Sequence, residues 1–342
     1  MLKVSIIIPV YNVAQYIQRC IHSILVQERT CCDIECIIVN DCTQDDSMQI
    51  IHDMLNDYHG NIQFVICHHK VNKGLSAARN TGIRRATGDY ILFVDSDDYI
   101  SDDCLKQMQK GVDDYPGIDV ILGNAYSCKY GQPFFPSVSE PMLLSNANEI
   151  LLKIYFAELH FHAWNRLIRR NLLLDNDLFF VEGLLYEDMP WTYRLISVMS
   201  SMLVLPYNTY IYEDNVNSIT NTPKNRMNQL VFSFCYIINF ILDNIRKEIR
   251  SDSRIYCFAI LLRTIDMNCQ FSCSKDMIVK LDLVKYRLIR EALLSGRLLL
   301  SLFFMTSLKP FVSMYQYPFI RRNYHKVTVL LARTERFIDR VF

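Results

Sequence analysis

Asp89-Tyr90-Ile91-Leu92-Phe93-Val94-Asp95-Ser96-Asp97-Asp98 decides how this chain is read. Tyr90–Val94 is an apolar run that buries on a sheet, and three carboxylates follow at its carboxyl end, Asp95, Asp97 and Asp98. Carboxylates this close repel one another, so the turn needs either open water or a cation. A hard divalent ion takes oxygen ligands and tolerates an incomplete protein shell, with phosphates completing it. The run therefore points to a metal–diphosphate site. Read alone, Asp-x-Asp is short enough to be only a polar turn after a strand.

The surroundings extend the pattern in both directions. Val4–Val10 is a continuous apolar run, the mark of a strand buried on both faces. Ala14–Gln27 has helical spacing at Ile17, Ile21, Ile24 and Leu25. Ile34–Val39 is the second strand, Ser47–Tyr58 a helix, and Ile62–Cys67 the third strand. Leu75–Arg85 is a helix closed by Thr87-Gly88, Asp102–Val112 another, and Val120–Leu122 a fifth strand. Strands alternating with helices predict an α/β fold, a mostly parallel sheet with helices on both faces. Ligands of such sheets sit at the carboxyl ends of the strands. That rule groups Pro9-Val10-Tyr11-Asn12, Asn40-Asp41 and Asp95–Asp98 on one rim. Residues 126–219 are less regular, with a polar loop at Gly131–Ser139, a helix at Asn146–Leu159 and the segment Glu182–Arg194. From about Asn225 the pattern is helical, over Met227–Ile249, Arg254–Phe271 and Lys275–Leu294. The expected organisation is a domain at 1–219 and a helical region at 220–342, since single cores tend to divide beyond roughly 250–300 residues.

Charge divides at the same place. Residues 1–219 hold 16 Lys+Arg against 27 Asp+Glu, a net of −11, and residues 220–342 hold 20 against 9, a net of +11. A basic tail points to an anionic surface, either nucleic acid or the inner face of a membrane. Leu298–Leu308 is apolar but spans 11 residues between Arg297 and Lys309, where crossing a bilayer takes about 20. It reads as a core helix or as an interfacial segment, with Arg321, Arg322 and Lys326 beyond it. The N-terminus reads as a strand and no signal peptide is expected. The twelve cysteines are scattered, with Cys36, Cys67, Cys235 and Cys257 inside apolar runs, as expected of free thiols in a reducing cytosol. Neither Cys31-Cys32…Cys36 nor Cys269…Cys273 pairs with a second group at zinc-site spacing.

Four polar strand ends in this order, Pro9–Asn12, Val39–Ser47, the stretch Asn72–Gly82 and Asp95–Asp98, resemble the N-terminal domain of inverting family 2 glycosyltransferases, which have the GT-A fold. Glu182–Trp191 is similar to that family's acidic-pair segment, and the likeness covers roughly residues 3–215. The resemblance implies a donor-nucleotide site at Pro9, Tyr11, Asn12, Asp41, Lys73, Arg79, Asp95 and Ser96. Tyr11 offers a face on which a base could stack. Asp41 could accept from a pyrimidine N–H, which favours a UDP-sugar donor and leaves a thymidine donor open. Its alternative use is as a helix N-cap, with Asp46 and Ser47 as rivals. Gly74 lets the backbone approach a ligand, and Ser76 is a candidate cap for the helix that carries Arg79. Arg79 can aim its fork at a pyrophosphate or the base, or be a surface Arg that pairs with Asp89 or a neighbour. By resemblance Asp95 faces the ribose and Asp97 is the ligand of Mg²⁺ or Mn²⁺. Asp98 supports them, or is a charge at a helix start. Asp188 is the expected base and Glu187 its alternative, giving a single displacement with inversion; Asp188-Met189-Pro190 also suits a helix start. His162–Leu167 resembles an acceptor-side segment, with Trp164 stacking on a sugar or packing in the core and Arg166 where a Lys is usual. His160 and His162 alternate as in a strand and are taken as non-ligands.

Two departures stand out. Cys42-Thr43-Gln44 replaces the small residues usual after Asn40-Asp41, and the Gln-x-x-Arg-Trp motif of processive synthases is missing. The resemblance thus implies transfer of single sugars from a nucleotide-diphosphate sugar to a glycan or lipid-linked acceptor in surface polysaccharide synthesis. The expected place is the cytoplasm, peripheral at the inner membrane face, with no nucleic-acid partner. The alternative is a non-catalytic nucleotide-sugar-binding or scaffold protein of the same fold. An aspartyl-phosphate phosphatase would need Asp-x-Asp after the first strand, which ends here in Pro9-Val10-Tyr11-Asn12.

Overall fold

Lys3–Val10 forms β1, and all but its first residue are buried. It lies between β2 (Asp33–Asn40) and β4 (Tyr90–Phe93), parallel to both, and β3 (Gln63–His68) completes that side of the sheet. A strand covered on both faces and paired on both edges is predominantly apolar, and the one polar side chain within Val4–Val10, Ser5, is buried with its hydroxyl donating to Glu35 Oε1 and accepting from the Gly88 N–H. β3 lies at the edge and is correspondingly mixed in burial. The computed structural model describes residues 1–29, 32–155, 158–213, 215, 227–244 and 274–294.

The remaining strands are β5 (Tyr99–Ile100), β6 (Val120–Ser127), β7 (Gln132–Pro133), β8 (Met142–Leu144), β9 (Arg166–Arg169) and β10 (Met202–Tyr212). They complete a ten-stranded sheet in the order β3-β2-β1-β4-β9-β6-β10-β5, with β7 beside β6 and β8 beside β10. β9 runs antiparallel between β4 and β6, while β10 is parallel to β6. The expected parallel half is present, and the sheet as a whole is mixed. Strand order reverses between β1 and β4, where the chain leaves one side of the sheet for the other. Crevices at such a switch point are where open α/β sheets bind ligands.

α1 (Ile17–Leu25), α2 (Ser47–Asn56), α3 (Leu75–Arg85) and α4 (Cys104–Asp114) flank this sheet, α3 against β1 and β2 and α4 against β6 and β10. Ile6, Ile8, Ile38, Leu92 and Val94 belong to one buried cluster that includes Ile17, Ile21 and Ile24 of α1. α5 (Ala147–Tyr155), α6 (Arg170–Asp175) and α7 (Asp188–Val198) complete the helices up to residue 213. The expected helix at Asn146–Leu159 is therefore shorter. His160 and His162 lie outside any strand, because β9 begins only at Arg166.

By contacts the chain divides into two units, one of residues 1–150, 158–183 and 187–216, the other of 151–157, 184–186 and 217–342. In the second, α8 (Met227–Asp243) and α9 (Lys275–Leu294) pack together, with Lys280 of α9 over the Phe232 ring of α8 (5.9 Å to the centroid). Arg287 joins them by donating to Asn239 Oδ1 (2.9 Å) and Asp243 Oδ1 (2.5 Å). The helix expected at Arg254–Phe271, the apolar stretch Leu298–Leu308, the cations at 321, 322 and 326, and Cys31, Cys257, Cys269 and Cys273 lie outside the described residues. Among the described residues no helix is long and apolar enough to cross a membrane, and eight cysteines, Cys36, Cys67 and Cys235 among them, are free thiols.

α3 approaches β1 closely because Gly82 has no side chain: a Cβ there would collide with the side chain of Ile7. Gly82→Ala is expected to destabilise the protein by about 1–3 kcal/mol, the usual cost of overpacking a core, as measured by chemical denaturation.

Candidate active site

Arg79 is carried by the first half of α3 and is 1% exposed. Its Nη2 donates to Asp95 Oδ1 at 2.7 Å. Its Nη1 donates to Glu187 Oε1 and to Asp188 Oδ1, both at 2.8 Å. The guanidinium lies 5.3 Å from the centroid of the Phe180 ring, and its Nε–H has no hydrogen-bond acceptor among the described residues. Burial works against the charge, but Asp95, Asp188 and Glu187 outweigh it and hold Arg79 more firmly protonated than usual. One cation thus joins the turn after β4 to the start of α7. The fork is directed at carboxylates of the protein, Asp95, Glu187 and Asp188, and not at Asp89.

The turn itself assigns its aspartates separate environments. Asp98 is buried, with Oδ2 accepting from the Tyr210 hydroxyl (2.8 Å) and Oδ1 from the Glu213 N–H (2.9 Å). It is not a helix-start charge, because the next element is β5. Burial first, then the Asp97 and Asp95 charges, push its carboxyl well above the usual range. Asp97 is only half-buried and accepts from Asn215 Nδ2 at 2.8 Å. Burial and the Asp95 charge raise its carboxyl as well. A cation would relieve both effects. Among the described residues no three His, Cys, Asp or Glu side chains are placed to hold an ion by themselves. The donor set is therefore a partial one, Asp97 with Asp95 beside it. That fits a Mg²⁺-like ion, which is usually held by one or two carboxylates and completed by phosphate and water.

Asp41 follows β2 and is buried. Its Oδ1 accepts from the Lys73 N–H (2.9 Å) and lies 2.6 Å from His69 Nδ1, and its Oδ2 accepts from the Gly74 N–H (2.7 Å). His69 Nε2 lies 2.9 Å from Thr81 Oγ1. Asp41 therefore fixes the bend before α3, where Gly74 has φ +87° and Ser76 makes no capping hydrogen bond. Asp46, not Asp41, occupies the N-cap of α2, and its side chain makes no capping hydrogen bond. Asp45 Oδ1 accepts from the Ser47 N–H (3.1 Å) and hydroxyl (2.5 Å). Asn12 joins the ends of β1 and β2 by donating from its N–H to Thr43 Oγ1 (2.7 Å) and accepting from the Gln44 N–H (3.1 Å). Cys42 has φ +61°, so the family's small-residue position keeps a left-handed backbone here at a steric cost to the cysteine.

Pro9 is buried within β1, Tyr11 is 45% exposed just beyond it, Ser96 is buried in the turn and the Lys73 side chain is exposed. Trp164 and Arg166, expected on the acceptor side, are placed in the interior. Trp164 is 2% exposed and stacks on Tyr210 (4.5 Å, 12° between planes) and on His162 (4.9 Å, 10°). Arg166 donates to the His160 carbonyl (2.6 Å) and to Thr192 Oγ1 (3.0 Å). Neither offers an open face, since the aromatic group Phe134, His160, His162 and Tyr212 surrounds the indole. His160 is buried and its proton affinity falls well below the ordinary value, by burial and by the neighbouring His162 and Arg166. The residues that sequence reasoning missed are His69, Tyr210, Glu213 and Asn215. The β-branched and aromatic run Thr209–Tyr212 was the available signal for the strand that carries Tyr210.

Carboxylates gathered at the switch point of a mixed sheet define a GT-A architecture. Residues 5–176 match the profile of glycosyl transferase family 2, and the chain belongs to that family. It is similar to the uncharacterized glycosyltransferase EpsJ of Bacillus subtilis, 35% identical over 230 residues that make up 64% of this chain and 63% of EpsJ. It is also similar to the poly(ribitol-phosphate) β-N-acetylglucosaminyltransferase TarS of Staphylococcus aureus, 29% identical over 62% of this chain and 35% of TarS. Less than two thirds of either relative is spanned. The crystal structure of S. aureus TarS 1–349 with UDP-GlcNAc shares the fold, with a TM-score of 0.72 at 20% identity over 95% of this chain and 92% of that one.

Glu187 supplies a test of this geometry. Burial, and secondarily the Asp188 charge, push its carboxyl up from 4.5 to about 7, against the pull of Arg79. The folded state then keeps a proton that the unfolded chain has released, so stability falls as pH rises from about 4.5 through about 7. Urea titrations are expected to show this loss, on the order of 1–3 kcal/mol, and Glu187→Gln is expected to remove it.

Proposed function

We propose that this chain is an inverting, metal-assisted glycosyltransferase. It moves one sugar from a nucleotide-diphosphate donor, most naturally a UDP-sugar, to a hydroxyl of a glycan or lipid-linked acceptor. The observation that carries the proposal is the Arg79 junction. It joins Asp95, on the metal turn, with Glu187 and Asp188, the two acids that could act on an acceptor. A displacement needs a stabilised leaving group at one end and a base at the other, and a shared rigid cation fixes their separation.

In this reading Tyr11 offers its exposed ring to the base and Asp95 with Ser96 meets the ribose. Asp97 holds Mg²⁺ or Mn²⁺ together with the donor diphosphate, and the bound ion supplies Lewis-acid stabilisation of the departing diphosphate. Asp188 takes the proton of the acceptor hydroxyl, whose oxygen forms the new bond to the anomeric carbon. The bond to the diphosphate breaks on the opposite face, which inverts the centre. Asp188 is the first residue of α7, a rigid mount for a base, and its contact with Arg79 restrains the side chain. The UDP donor rests on the likeness to TarS, whose name specifies N-acetylglucosaminyl transfer and whose crystal structure holds UDP-GlcNAc, because the Asp41 carboxylate is already taken up by the Lys73 and Gly74 N–H groups and His69. The basic region 220–342 supports peripheral attachment at the inner face of a membrane.

Asp97→Ala is expected to abolish Mn²⁺-stimulated hydrolysis across a panel of nucleotide sugars, and undiminished turnover would refute the metal assignment. Asp188→Asn is expected to keep UDP affinity by calorimetry while transfer falls about 10²–10⁴-fold, the range for a lost general base. Should wild-type protein bind UDP-sugars and turn none over on any acceptor, the chain is a binding or scaffold protein instead. Deleting residues 298–342 is expected to lower the membrane-bound fraction in a vesicle sedimentation assay.

A further inference from the structure

We infer that Tyr210 is a positioning residue for the metal turn, acting through Asp95 and Asp98, and that the aromatic stack behind it is what holds the turn rigid. The inference rests on the reading of Asp97 as the metal ligand.

The Tyr210 phenol is fully buried on β10, beside the turn it supports. Its oxygen accepts from the Asp95 N–H (3.2 Å), so its own proton goes to Asp98 Oδ2 (2.8 Å). The other oxygen of Asp98 accepts from the Glu213 N–H (2.9 Å), and the Asp98 N–H donates to the Asp95 carbonyl (3.1 Å). These bonds close a ring around Asp95-Ser96-Asp97 and leave the half-buried Asp97 carboxylate outside it. β10 clamps the far side of the turn, where Tyr210 and Ile211 pair with Ile100 and Tyr99, and Ser101 N–H donates to the Thr209 carbonyl (3.0 Å).

The phenol cannot swing away. Trp164 stacks flat on its ring and His162 stacks flat on Trp164. A fixed phenol oxygen fixes the Asp95 N–H and the Asp98 carboxylate, and these two set where Asp97 points. Groups that orient a ligating carboxylate commonly change metal affinity about 10–100-fold when removed. Trp164 thereby gains a use other than sugar stacking: it is the backing of the turn.

Tyr210→Phe removes only the oxygen, keeping the ring and its stack. Calorimetric titration of UDP with Mn²⁺ and with EDTA separates the outcomes. For the variant, UDP affinity in EDTA is expected to match wild type, while the Mn²⁺ concentration that half-saturates the enhancement of UDP binding rises about 10–100-fold. In turnover, the donor KM should rise at high Mn²⁺ by less than at low Mn²⁺. An unchanged Mn²⁺ requirement in folded variant, or an equal loss of UDP affinity in Mn²⁺ and EDTA, overturns the inference. Wild-type protein whose UDP affinity ignores Mn²⁺ overturns the metal reading itself, and this inference with it. If Tyr210→Phe does not melt cooperatively, Asp98→Asn decides by the same criteria, since it keeps the side-chain shape and removes the carboxylate that receives the phenol proton.

Discussion

One buried guanidinium holds the site together. Arg79 faces three carboxylates at hydrogen-bond distance from a position that water barely reaches. Charges removed from water are costly, and a buried pair is tolerable only when geometry and partners are nearly complete. Both terminal nitrogens of the fork are engaged, Nη1 by two acids at once and Nη2 by Asp95. Asp95 and the Glu187-Asp188 pair come from distant parts of the chain, and without the cation they would repel across the crevice. The constraint therefore acts in both directions: the carboxylates keep Arg79 buried, and Arg79 keeps the two ends of the proposed displacement at a fixed spacing.

The fold supplies what this arrangement requires. α3 must present Arg79 at the right height and depth, and each of its ends is anchored. Asp41 binds the two backbone N–H groups of the bend before it, and Gly82 lets the helix lie directly on Ile7 of β1. The residue after Arg79 secures the approach to α7: Asn80 Nδ2 donates to the Phe180 carbonyl (2.9 Å) and the Phe180 N–H donates back to Asn80 Oδ1 (2.8 Å). On the opposite side β10 fixes the aspartate turn through Tyr210. Asp97, the proposed metal ligand, accepts from the neutral amide of Asn215, while Asp95 is paired with Arg79 and Asp98 is held by Tyr210 and the Glu213 N–H.

Much of this was legible because the parallel half of the sheet is written in local patterns. β1, β2, β3 and β4 are largely apolar runs closed by polar residues, and α1 and α2 have the 3.6-residue spacing of a buried face, whereas α3 is buried over five consecutive residues, Ser76–Asn80. The carboxyl-end rule then gathered Tyr11, Asp41 and Asp95–Asp98 without any tertiary information. β10 was not legible in the same way, because Pro206-Tyr207-Asn208 interrupts it and its pairing with β6 shifts register on either side of Asn208. The destination of Arg79 was hidden for another reason. Its acidic partners lie 108 and 109 residues away, and sequence spacing carries no information about pairs that only the closed sheet brings together. Trp164 and Arg166 illustrate the converse: residues suited to binding a sugar are equally suited to a stacked, hydrogen-bonded interior, and only burial distinguishes the two.

The central claim is that one cation holds a leaving-group site and a single base on opposite sides of the anomeric carbon. Proton NMR of the first sugar released during hydrolysis of an α-linked UDP-sugar with Mn²⁺ tests it most directly. The account requires the β anomer to appear first, before mutarotation. Initial release of the α anomer would contradict a single displacement and the assignment of Asp188 as its base.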